Sequence, residues 1–265
     1  LPGDLDRGLL LEADSYENLA AWAVVRSGQA PLVSETCLAV LEGKEGPGDT
    51  GIREALAAYP LPQAPGHRGK TVQQLFRNHR RGLTCLPYTA PMRAAHVLSI
   101  LPPEEFEADI LRGFRTYWNT SPDPETEFRR ARDRAWICFY LARALGRGRA
   151  PETADALRKA LHSVEPSLAV ATHKPPHPMI YTGITPFPSA SVAYALGRLA
   201  PPETASLLLS VIEDLRHTVD LRHSAARGLA LAAAPTDRPR ILQLAESYPE
   251  VATRRLLFRA AQTGR

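Results

Sequence analysis

One phrase recurs in this chain and limits what it can fold into. Four times a stretch rich in Ala and Leu runs into proline, turns and restarts as a second helix-like stretch. The four versions are Leu101–Ile110, Ala150–Leu157, Ala200–Leu207 and Ala234–Leu242. A helix–turn–helix unit of this kind cannot bury its apolar face alone, so it predicts a stack of helix pairs in an all-α fold. Such stacks commonly serve as binding surfaces rather than catalysts.

The turn prolines Pro103, Pro151, Pro202 and Pro235 are separated by 48, 51 and 33 residues. The last spacing suits a plain two-helix repeat. The two longer ones contain insertions, at 117–125 and at 172–188. Removing roughly fifteen residues from each restores a helical-repeat period.

Apolar spacing inside the units is helical. Val192, Ala195, Leu196 and Leu199 form one stripe, and Leu221, Ala225, Leu229 and Ala232 another. Second helices are expected at Glu104–Phe114, Glu152–His162, Glu203–Arg216 and Arg238–Tyr248. Proline in the first turn costs no hydrogen bond, and an adjacent acid meets the positive end of the helix dipole. The crowd of Glu104, Glu105, Glu107 and Asp109 is read as dipole compensation of its own helix rather than as paired catalytic carboxylates.

Residues 188–199 and 220–232, each followed by a proline turn and a second helix, resemble HEAT repeats. Pro249–Ala260 looks like the first helix of one more unit, and Ala94–Ile100 and Ala135–Leu145 fit less closely. The resemblance spans about residues 89–262. It implies an α-solenoid of antiparallel helix pairs in a right-handed superhelical stack, with a concave surface lined mainly by second helices. It implies no activity. HEAT-like enzymes that hydroxylate a modified lysine carry repeated His-Glu pairs, and this chain has no His-Glu dipeptide. HEAT-like DNA glycosylases line a basic concavity with aromatics and an acid. Trp22, Trp118 and Trp136 are present, but no specific motif carries that activity over.

The domain organisation expected is 1–88 as an N-terminal helical cap or diverged repeats with Pro/Gly-rich loops, and 89–265 as repeats. Helices are expected at Tyr16–Arg26, Pro31–Leu41, Ile52–Ala58 and Thr71–Arg81.

Charge is uneven. Residues 1–60 carry ten acids and four bases, whereas 61–100 carry six bases and no acid. The densest basic run contains Arg68, Lys70, Arg77, Arg80 and Arg81. It is read as a solvated face answering the acidic segment, with a phosphate-contacting patch as the alternative. Ala64–Thr71 matches a loose phosphate-binding loop, with Lys70 and Thr71 in the diagnostic places. The two prolines of Ala57–Gln63 stand where that loop needs a strand.

The second insertion holds His173 and His177. Their prolines preclude a helical metal clamp, so no metal or cofactor is expected. Met179, Tyr181 and Phe187 make this insertion apolar for a loop, and with His173, His177 and Trp118 of the first insertion they are the candidate binding residues. Three scattered cysteines, Cys37, Cys85 and Cys138, suit free thiols and a cytoplasmic location. The chain begins at Leu1, which leaves a removed leader open.

The function expected is a non-catalytic scaffold binding another protein through its concave face or its inserted loops. The competing expectations are a basic solenoid that binds nucleic acid, or the helical accessory domain of a longer enzyme.

Overall fold

A computed structural model describes residues 28, 30–44, 90–101, 103–119, 128–163 and 187–263. Among the described residues there are ten α-helices, two short 3-10 turns and no strand. The chain divides into two compact units, 1–101 and 102–265. In the first unit, α1 (Ala30–Leu41) packs against α2 (Ala90–Ile100).

The second unit opens with a 3-10 turn, Glu104–Phe106, and continues as α3 (Glu107–Asn119), α4 (Phe128–Leu145), α5 (Pro151–Leu161), α6 (Pro188–Leu199) and α7 (Thr204–Glu213). Then follow α8 (Val219–Ala232), a 3-10 turn at Pro235–Asp237, α9 (Arg238–Ser247) and α10 (Val251–Thr263). Helix starts follow the sequence signals. Proline stands in the first turn of α5, α6 and α9, where its missing donor would be unpaired anyway. Thr218 caps α8 by accepting the Leu221 N–H at 3.3 Å.

Helix α3 differs from its sequence reading. It starts three residues later, after the 3-10 turn, and runs on through Tyr117, Trp118 and Asn119. Those residues are therefore its last turn and not part of an insertion. Apolar Phe114 and Trp118, one turn apart and both buried, hold the helix together to that point.

Packing in the second unit follows a plain order. Helices α4, α6, α8 and α10 touch in succession. Each helix that follows a proline turn packs mainly on the helix after it: α3 on α4, α5 on α6, α7 on α8 and α9 on α10. The close pairs thus straddle the other connections, whereas α6 and α7, joined by a proline turn, touch less. The proline turn carries the chain to the side rather than folding it back onto the helix it has just left.

Several contacts fix helix directions. Glu107 at the start of α3 meets Thr153 at the start of α5, 46 residues on. Trp118 near the end of α3 meets Ser163 just past the end of α5, 45 residues on. The two helices therefore run side by side in the same direction. Ser191 Oγ in α6 donates to Phe139 O in α4, 52 residues earlier, and Thr263 Oγ1 in α10 to Ala230 O in α8, 33 residues earlier.

The C-terminal core joins Leu208, Leu209 and Ile212 of α7, Leu221 and Leu229 of α8, Ile241 of α9 and Leu257 of α10. Burying side chains of this size contributes about 1.5–3 kcal/mol each.

Candidate functional site

Of the candidate binding residues the structure describes Trp118 and Phe187, and Trp118 is buried. Its ring lies 5.2 Å from that of Phe114, and its Nε1–H donates to Ser163 Oγ at 2.6 Å. Ser163 Oγ–H in turn donates to Ala160 O at 2.9 Å. A buried indole needs such a partner for its N–H. The bond ties the last turn of α3 to the end of α5. Tyr117, on the next position, turns toward α4. Burial, and then the neighbouring Cys138, push its phenol above the usual value.

Beside Trp118 a cleft of about 260 Å³ opens between α3 and α5. Phe114, Trp118, Ala156 and Ala160 form its apolar wall, and Arg115, Asn119, Lys159 and Ser163 supply its polar groups. Arg115, Asn119, Lys159 and Ser163 were not singled out by sequence. Their signal was faint, since they become neighbours only because α3 and α5 lie in register. Two of the chain segments outside the described residues, 120–127 and 164–186, follow these same helix ends. Phe187, half-buried, follows the second of them as the residue before α6.

The remaining candidates, His173, His177, Met179 and Tyr181, lie outside the described residues. So do the basic run Arg68, Lys70, Arg77, Arg80 and Arg81, the loop Ala64–Thr71, and the helices expected at Tyr16–Arg26, Ile52–Ala58 and Thr71–Arg81.

The other end of the α3–α5 pair is a structural joint. Glu107 Oε1 accepts from Ala150 N–H at 2.9 Å and Thr153 Oγ1 at 2.6 Å, and Oε2 from Arg149 N–H at 2.8 Å. Partial burial raises the pKa of this carboxyl, but the bonds from Thr153, Arg149 and Ala150 together outweigh it and hold the pKa below the usual value.

Among the described residues no group of three His, Cys, Asp or Glu side chains could hold a metal ion. No helix among them is long and apolar enough to cross a membrane. No protein-family model, no curated protein and no solved structure matches the chain.

Proposed function

We propose that this chain is a HEAT-like helical-repeat scaffold, an α-solenoid of antiparallel helix pairs, that works without catalysis by holding a protein partner. The partner sits at the ends of α3 and α5. One observation carries this reading: Trp118 and Ser163 clamp together two helix ends from which both long inserted segments depart, beside a half-apolar cleft. Long connections in a compact helical protein are commonly functional, and here two of them follow neighbouring helix ends. Helices α3 and α5 run side by side in the same direction, as equivalent helices of successive repeats do. The cleft wall of Phe114, Ala156 and Ala160, rimmed by Arg115 and Lys159, has the apolar floor and charged rim of a peptide-binding edge.

A peptide-display selection against the whole chain tests this. Arg115→Glu and Lys159→Glu alter the rim at exposed positions and leave Trp118 in place. The expected outcome is a convergent peptide motif whose affinity falls at least about tenfold in both variants, as for loss of rim or core contacts at a real interface. Failure to converge, or a motif whose binding ignores both substitutions, overturns the proposal.

A further inference from the structure

Large apolar side chains left in water are gathered rather than scattered. Of the five exposed among the described residues, four are Leu215, Val219, Val251 and Phe258, and the fifth, Leu32, belongs to the first unit. Contiguous exposed apolar surface marks a place where something binds. Three of the four meet around one side chain. Arg222 donates from Nη1 to Leu215 O and from Nη2 to the Glu250 carboxylate. Leu215 and Val251, the neighbour of Glu250, therefore flank one guanidinium. Val219 stands one turn before Arg222 on α8.

Helix α10 carries the strip onward. Its buried residues are Thr253, Leu257, Ala260 and Ala261, and it packs on α8 and α9. Exposed Val251, Arg255 and Phe258 follow one another at helical spacing, and Arg259 lies one turn beyond Arg255. The helix holds three arginines and no acid. Arginines nearby are neutralised in place, Arg216 by Asp214, Arg222 by Glu250 and Arg240 by Glu213. Arg255 and Arg259 have no such carboxylate among the described residues. Like charges one turn apart repel each other, and an anion laid against both relieves the repulsion. The face is unsuited to one more helix of the row. Gly146 against Ala195 and Gly197 against Gly228 seam α4, α6 and α8 with small residues, whereas here a helix would bury unpaired charge. A second copy of α10 would bring only more positive charge.

We infer that the exposed face of α10 docks an acidic amphipathic segment of a partner protein. Its Asp and Glu side chains meet Arg255 and Arg259, and its apolar side chains lie along Phe258, Val251, Leu215 and Val219. The arginine fork fits carboxylates pairwise, and an aromatic beside arginines is the composition that dominates the centres of protein interfaces. Positive charge is confined to the α10 part of the strip. Exposed Asp220 follows Val219 at the apolar end. A nucleic acid or an anionic bilayer carries phosphate throughout and would press it onto that acid, whereas a peptide places an apolar residue there. Phe258, the single aromatic of α10, gives unpaired bases little platform. The face shares no residue with the Trp118 cleft, so the two are tested apart.

A display selection on the whole chain tests the face. One peptide library intersperses Asp and Glu with randomised apolar residues, and a second replaces the acids by Asn and Gln. The expected result is enrichment of acidic peptides that carry Leu or Phe. In fluorescence anisotropy their binding weakens with salt and falls at least about tenfold in Arg255→Glu and in Phe258→Ser. Arg255→Lys retains an intermediate affinity, and Arg115→Glu at the cleft leaves binding intact. Circular dichroism melts equal to the parent show that the variants are folded, and Arg255→Glu decides alone if Phe258→Ser melts earlier. Peptides that depend on Arg115 and ignore Arg255 belong to the cleft, which overturns this inference and spares the function proposed above. No enrichment of the acidic library over its amide counterpart, or equal binding in Arg255→Glu, overturns it as well. So does a DNA duplex, or a phosphatidylserine-containing vesicle, that binds more tightly than the peptides and is lost in Arg255→Glu. A dimer in sedimentation that Arg255→Glu dissolves would give the face to a second copy and overturn it too.

Discussion

Glu107 does more than its place in the sequence suggests. It sits in the first turn of α3, yet its carboxylate takes three hydrogen bonds from the start of α5. It satisfies the Arg149 and Ala150 N–H groups just ahead of α5 and the Thr153 hydroxyl in its first turn. A Cβ on Gly148 would strike this carboxylate, so glycine there makes room for it. Replacing Glu107 with Gln should lower stability by about 1–2 kcal/mol near neutral pH, because a charged acceptor becomes neutral. The folded pKa lies below 4.5. The stabilisation by the charge is therefore complete above about pH 4.5 and is lost as pH falls through the lowered folded value. Urea unfolding should show the gap between the two proteins closing in acid, and a gap independent of pH would refute the charged joint. Ala200 closes α6 with φ 45°, in the left-handed region that favours glycine. Ala200→Gly should raise stability by up to about 1 kcal/mol, since the relief of strain exceeds the added freedom of the unfolded chain. A lower melting temperature would contradict this. The acids before α3 were legible as helix-start signals. The partner of Glu107 was not, because nothing local points to a residue 46 positions away.

At the scale of the element, the crossing of α6 and α8 leaves no room for a side chain. A Cβ on Gly228 would come 2.8 Å from Ala193 O, and one on Gly197 would overlap Gly228. Neither helix can yield alone, because Val192 and Leu196 on one side and Leu229 on the other are already fully buried. Gly197→Ala should cost at least about 1–3 kcal/mol, the range for overfilled cores, despite the better helix propensity of alanine. A thermal melt equal to that of the parent would show that the helices can part at no cost. The connections on either side of α8 and α9 are tied differently. Buried Arg222 donates to Glu250 and, at 2.8 Å, to Leu215 O, while Tyr248 O–H reaches Ile212 O at 2.8 Å. Arg222→Ala leaves Glu250 without that partner and should cost about 3 kcal/mol. A change below about 1 kcal/mol in chemical unfolding would mean that solvent replaces the pair. The apolar stripe of α6 was legible, with Val192, Ala195 and Leu196 all buried. The glycine seam beside it was not. A glycine in a helical pattern signals some close approach but does not name its partner.

For the whole molecule, the sequence carried the order of helices better than their pairing. Proline turns marked the starts of α5, α6 and α9, and the expected second helices lie within a few residues of the observed ones. Periodicity alone could not tell whether a helix folds back on the one before its turn or advances to the next. That choice depends on the angle of the turn and on long-range burial, and here the helices advance. Folding should reflect it. In a second unit where α4, α6, α8 and α10 touch in succession, the proposed repeat stack would draw its stability from nearest neighbours. Helices α6 and α8 have row neighbours on both sides, whereas α10 has α8 on one side only. Amide hydrogen exchange should therefore be slowest in α6 and α8 and faster in α9 and α10. Gly197→Ala should speed exchange most in α6 and α8 themselves and in the helices packed on them. Equal protection from α4 to α10, lost all at once in the variant, would mean that residues 102–265 open as one cooperative block and not unit by unit.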